Sequence, residues 1–319
     1  MTSRERVYRA IEFRKPDRVP VYNFNKEIEK GDIVCFCVKR SRAYADKDKA
    51  LSEWGYTWRK LDDTMGQPDD YVIKDYAQLK TYTPPKADAL GRFDGLEEFI
   101  SKYKDKFIMA GPDITGFTTV TFVRGFENTL IDVYEDRENL QKIIDMVFNY
   151  ELGLIKKICT YKEIDAFSFH DDWGSQTSAL ISPALFREVF LPKYKEQFDL
   201  LHKYGKKVFF HSCGYVYDLI PDFIAAGVDI FNFNQPDVMG LNKLSKFRGK
   251  VTFNCPVDLQ KVAIKGTKQQ IFDYTGRMVK ELGTDSGGFI GYLEEYHSIG
   301  LTDENYNYCE DALKELGKY

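Results

Sequence analysis

Eight short apolar runs, each closed by a polar or glycine-containing turn and most of them separated by helix-patterned stretches, constrain the fold of this 319-residue chain more than any other feature. They occupy 19–24, 32–38, 107–112, 165–170, 206–211, 228–233, 250–255 and 287–293. Helical patterns cover 2–13, 94–104, 135–160, 182–204, 217–226, 265–282 and 302–317. Strands that alternate with helices pair in parallel, because each helix returns the chain to the same end of the sheet. Eight such units predict an α/β fold, a distorted TIM-type (β/α)8 barrel, with residues 1–319 forming one domain. The N-terminal region is elaborated: across 50–92, Trp54, Trp58, the turn GQPDD and the TPP at 83–85 interrupt the rhythm. Ser182-Pro183 is a cap pair for the helix over 182–204, Gly205 suits its end, and Pro192 inside it predicts a kink or two helices.

Composition narrows the function classes. A formal charge of -4 leaves no basic surplus to neutralise phosphates, so nucleic acid is not the expected partner. No apolar run approaches the roughly 20 residues of a membrane span, and the charged N-terminus lacks the apolar segment of a signal peptide. The expected location is the cytoplasm, with no membrane partner. Six scattered cysteines in a chain of this size argue for reduced thiols or metal ligands over a disulfide framework.

In a β/α barrel, chemistry sits at the C-terminal ends of the strands, where the βα loops converge. That rule turns the strand positions into a set of site positions: Asn23 and Asn25, Asp113, His170 with Asp171 and Asp172, His211 with Cys213, Asn232 with Asn234, Cys255, and Glu294, Glu295 with His297. Residues i and i+2 of an extended segment project to the same side, so His211 and Cys213 can converge on one ion. Imidazole and thiolate together favour Zn2+. A pair is an incomplete ligand set, and Cys255 and His297 are the candidates to complete it. Cys35 and Cys37 share the spacing but lie inside an apolar run, where a core role is expected.

FHDDWGSQ at 169–176 concentrates further polar groups. Asp171 and Asp172 suit acid/base catalysis, substrate binding or orientation of a metal-bound histidine; their structural alternative is to cap the loop through hydrogen bonds. Trp173 offers a flat wall for a substrate or packs under the loop, and Asn232 and Asn234 are candidate substrate contacts. The sequence contains no P-loop, no convincing GxGxxG after a strand and no GxSxG elbow, which removes those nucleotide-binding and hydrolase classes from the reading.

Several segments, in order, resemble the uroporphyrinogen decarboxylase superfamily: SRERVYRAIEFRKPDRVPV, GDIVCFCV with the later EWGYTW, RGFENTLIDVYED, FHDDWGSQTSALISPALFREVFLPKYKE and HSCGYVYDLIPDFIAAGVDIFNFNQP. Within it they are most similar to the branch shared with corrinoid-dependent methyltransferases. The resemblance implies a distorted barrel with a deep cleft at its C-terminal face. It also implies a methyl group moved between a small substrate (methyl ether, methylamine or thiol) and a corrinoid carried by a separate partner protein. True decarboxylases carry an arginine-rich RQAGR-type segment near the N-terminus; VPVYNFNKEIEKG stands there instead and has no arginine. A cofactor-free decarboxylase-like lyase is the alternative. The zinc enzymes of the superfamily use a His-x-Cys pair and a later cysteine. His211 and Cys213 match the pair, whereas the later position falls in EEYHSIG, where His297 stands. His297, Cys255 or Glu294 is then the third ligand.

Overall fold

The computed structural model describes residues 1–44, 47–48, 50–60 and 66–318. Eight parallel strands close into a barrel: β1 Val21–Phe24, β2 Ile33–Cys37, β3 Phe107–Gly111, β4 Ala166–His170, β5 Lys207–His211, β6 Ile230–Asn232, β7 Thr252–Cys255 and β8 Phe289–Glu294. Each strand pairs with its neighbour in sequence, and β8 pairs with β1. All eight fall on the apolar runs that predicted them. The elaboration between β2 and β3 carries a two-stranded antiparallel hairpin, Thr57–Arg59 with Gln67–Asp70; positions 61–65 of that connection lie outside the described residues.

Strand parity divides the barrel into two apolar layers. Inward-facing Ile33, Phe107, Met109, Phe209 and Ile290 fill the interior, and Val7 and Ile11 of the N-terminal helix Ser3–Ile11 join them. Thr2 caps that helix by accepting from the Glu5 amide, so its one apolar face is held against the barrel. Outward-facing Phe167, Phe169, Phe210, Phe231 and Phe253 pack under the surrounding helices. Burying each such ring contributes roughly 1.5–3 kcal/mol, which fixes the strand register because a one-residue slip would exchange the two layers.

The helix over 182–204 departs from regularity where Pro192 lies. A π turn, Phe186–Phe190, leads into Leu191–Lys203, and Ser182 caps the start. Proline has no N–H to offer the preceding turn, so the ladder widens just before it. Two helices between β3 and β4 exceed the sequence expectation: Gly116–Arg124 and Phe126–Glu135 precede the long helix Arg137–Ile158. Gly116–Arg124 is rich in β-branched residues and buried on nearly all sides, so it carries neither helix propensity nor an amphipathic stripe. No described helix is long and apolar enough to cross a membrane.

Candidate metal centre at the barrel mouth

A cavity of about 640 Å³ opens at the C-terminal ends of the strands. Aromatic Tyr22, Phe24, Phe209 and Tyr292 line it together with His170, Asp172, His211, Cys213, Asn232, Asn234 and Glu294. The inward row of the sheet supplies its polar floor. His170, His211, Asn232 and Asn254 are paired in register across β4, β5, β6 and β7.

His211 Nε2 lies 3.5 Å from Cys213 Sγ and 3.6 Å from Asp172 Oδ1. The three ligand atoms all fall within 4.8 Å of one another, close enough for one ion. Two loops must approach closely for this to happen. A Cβ on Gly174 would stand 2.6 Å from the Gly214 carbonyl carbon and 2.8 Å from Cys213 O, and Gly214 has φ +77. Glycine at both places lets the loops touch, and the Cys213 amide then donates to Asp172 Oδ1 at 2.8 Å.

The electrostatics of the cluster call for a cation. Burial raises the Cys213 thiol well above its ordinary value, and the carboxylates of Asp172 and Glu294 raise it further. A buried thiol flanked by carboxylates ionises when positive charge arrives, and a divalent ion supplies that charge. On donor chemistry the three residues therefore fit a metal.

Other sequence candidates are placed differently. Asp171 is fully buried and faces the helices: its carboxylate accepts from the Phe117 and Thr118 amides, the Thr118 hydroxyl, the Trp173 indole and the Tyr194 hydroxyl. It caps the helix Gly116–Arg124. Trp173 is also fully buried, stacked on Phe117 at 4.4 Å and edge-on to Phe186 and Phe190, so it forms core, not a cavity wall. Cys255 has no exposure and packs in the outer layer, because it lies one residue beyond inward-facing Asn254. His297 sits in the turn His297–Ile299, with Nδ1 2.8 Å from Leu301 O and Nε2 2.5 Å from Glu295. Neither Cys255 nor His297 lines the cavity.

Glu294 does line it. Its Oε2 accepts from the Tyr292 and Tyr296 hydroxyls, burial raises its carboxyl, and it lies within electrostatic reach of His211. Asn232 Oδ1 stands 2.5 Å from His211 Nδ1, and Asn234 donates to the Tyr296 hydroxyl at 2.7 Å.

Of Cys35 and Cys37, both expected in the core, Cys35 packs against the inner apolar layer and also faces the cavity, whereas Cys37 is exposed on the cavity lining. The Cys37 thiol donates to Asp113 at 2.8 Å, and burial pushes the Cys35 thiol up to about 12. Beside them His170 hydrogen-bonds Ser168 at 2.5 Å, and burial together with neighbouring His211 pushes it down to about 3. The aromatic wall was missed as well. Tyr22 and Phe24 share parity with the inward row, and that period-two pattern is the signal that would have found them.

A closed parallel barrel with imidazole, thiol and carboxylate gathered at its C-terminal mouth defines a (β/α)8 barrel enzyme. The chain belongs to the uroporphyrinogen decarboxylase (URO-D) family, whose model matches residues 62–291. Among solved structures, a methyltransferase from Methanosarcina mazei shares the fold with a TM-score of 0.70 at 14% identity, covering 99% of each chain. An endo-β-1,4-xylanase from Gloeophyllum trabeum aligns at a TM-score of 0.43 and 11% identity, over 73% of this chain and 83% of its own. Among curated proteins, none matches the chain significantly.

Proposed function

We propose that the protein is a zinc-dependent methyltransferase that moves a methyl group between a small substrate (a methyl ether, methylamine or thiol) and the corrinoid of a partner protein. The observation that carries this reading is the convergence of His211, Cys213 and Asp172 at the mouth of the cavity. Asp172, expected from sequence as an acid/base group, becomes the third protein ligand, and cavity-lining Glu294 is the group left to exchange a proton with substrate. With zinc bound, the chemistry supplied is Lewis acidity toward the atom that carries the methyl group. The chain's own residues hold the substrate: Tyr22, Phe24 and Tyr292 bound the apolar side, and Asn234 presents a polar edge. Six free cysteines fit a reducing compartment, in keeping with a cytoplasmic protein.

Porphyrinogen decarboxylation is the weaker reading. Asp113, Asp172 and Glu294 place three carboxylates on the lining, and no lysine or arginine stands among the described lining residues. A substrate rich in carboxylates would meet repulsion where it needs cationic clamps. The test is to mix zinc-loaded protein with cob(I)alamin and a panel of methyl donors and to follow the corrinoid absorbance. At least one uncharged or cationic donor should convert the corrinoid to its methylated form, and a carboxylated analogue of the same donor should react about tenfold more slowly or worse. Metal-independent release of CO2 from a porphyrinogen, with no donor accepted, would overturn the proposal.

A further inference from the structure

Asn254 faces the barrel interior from β7, is fully buried and touches none of the three converging ligand atoms. Its Nδ2 lies 3.2 Å from Ile290 O and 3.3 Å from Gly291 O on β8. Main-chain carbonyls only accept, so the orientation of this amide is fixed: its NH2 points to β8 and its Oδ1 to β6. There Asn232 meets two more acceptors, Asn254 Oδ1 at 2.9 Å and Asn254 O at 3.0 Å. Asn232 must therefore present Nδ2 to β7 and Oδ1 to β5. That oxygen stands 2.5 Å from His211 Nδ1, and an amide oxygen cannot donate.

From this geometry we infer that Asn232 is a positioning residue, backed by Asn254, that locks His211 in its Nδ1–H tautomer. Four acceptor oxygens on two strands decide which nitrogen of a third strand's imidazole keeps its lone pair. The free pair falls on Nε2, the atom facing Cys213 and Asp172. Reversing either amide would set oxygen against oxygen in a buried site, so the ladder holds without any metal present. Only its consequence for metal affinity rests on the proposed function.

The test reads the tautomer directly, by two-bond nitrogen–proton NMR of histidine-labelled, metal-free protein. The chain has four histidines, His170, His202, His211 and His297, which keeps the spectrum assignable. In metal-free protein at alkaline pH, His211 is expected as the Nδ1–H form, because the Asn232 oxygen facing Nδ1 can only accept. Asn232→Leu should mix the tautomers and weaken zinc binding roughly 10–100-fold, and Asn254→Leu should weaken it less, because Asn254 O still orients Asn232. Asn232→Asp keeps an acceptor at Nδ1 and should hold the tautomer, although it sets a carboxylate against two oxygens. A merely structural role predicts the reverse order, with Asn232→Asp the worst variant. An Nε2–H form in the wild type, or an unchanged tautomer in Asn232→Leu, overturns the inference. Should Asn232→Leu fail to fold, the wild-type spectrum and Asn254→Leu decide. Failure of every form to take up zinc would count against the proposed function and leave the ladder standing.

Discussion

Replacing Cys213 with alanine is expected to strip the protein of zinc and of methyl transfer while leaving the barrel folded. Structural zinc sites with four ligands are worth about 10–16 kcal/mol, so one ligand carries on the order of 3 kcal/mol, or about a hundredfold in affinity. The loss here should be at least that large, since Cys213 contributes the only thiol within the converging set. Cys213 is half-buried and packs no core, so circular dichroism should hardly change, nor should the melting temperature when both proteins are compared metal-free. His211→Ala should behave alike. Cys255→Ala and His297→Ala are the discriminating controls: one side chain lies in the outer layer and the other bonds Leu301 O and Glu295, so both variants should keep their zinc. Metal analysis of protein purified without chelator reads the result, with about one zinc per wild-type chain. Equal zinc in wild type and Cys213→Ala, or zinc lost equally in Cys255→Ala, would refute the assignment.

The contrast between Cys213 and Cys255 shows how far the sequence could be read. The strands and their C-terminal ends were legible because strands of strong apolar character alternate with helices. Which residues at those ends face the mouth was harder to see, although one rule sorts most of them. Counting in twos from inward-facing His170 sends Asp172 inward and Asp171 and Trp173 outward; counting from Asn254 sends Cys255 outward. Strands covered on both faces are apolar on both, so hydrophobicity alone hid that parity, and DIVCFCV looked like uniform core. Register across strands was beyond the sequence altogether. The row joining His211 to Asn232 and Asn254 exists only once the barrel closes. The helix Gly116–Arg124 was hidden for a different reason: carboxyl groups from distant segments, Asp171 and Glu151, satisfy its first amides in place of a local cap.

Those carboxyl groups set up the largest expected change in stability. Asp171→Ala leaves the Thr118 amide and the Tyr194 hydroxyl without their buried acceptor, and the Phe117 amide and Trp173 indole with only the Tyr194 oxygen to share. Each stranded donor costs roughly 1–3 kcal/mol, so with two fully stranded and two weakly held by Tyr194 a total of about 3–5 kcal/mol is expected. For a chain of this length that is a melting temperature lower by roughly 5–8 °C. Asp171→Asn, which keeps one acceptor oxygen, should lose less. The damage should reach the proposed metal site, because the Asp172 amide donates to the Thr118 hydroxyl oxygen at 2.8 Å and moves with that helix. Glu151 adds a pH dependence of definite sign. Its Oε1 accepts from the Gly116 amide at 2.5 Å, yet burial lifts its carboxyl from 4.5 to about 8. A folded-state value above the unfolded one means the stabilisation is complete below about 4.5 and lost as pH rises through about 8. The melting temperature should accordingly fall between pH 5 and pH 9, and Glu151→Gln, which cannot ionise, should flatten that fall. A slope unchanged in Glu151→Gln would show that the buried proton lies elsewhere, and an Asp171→Ala variant as stable as the wild type would show that the cap is dispensable.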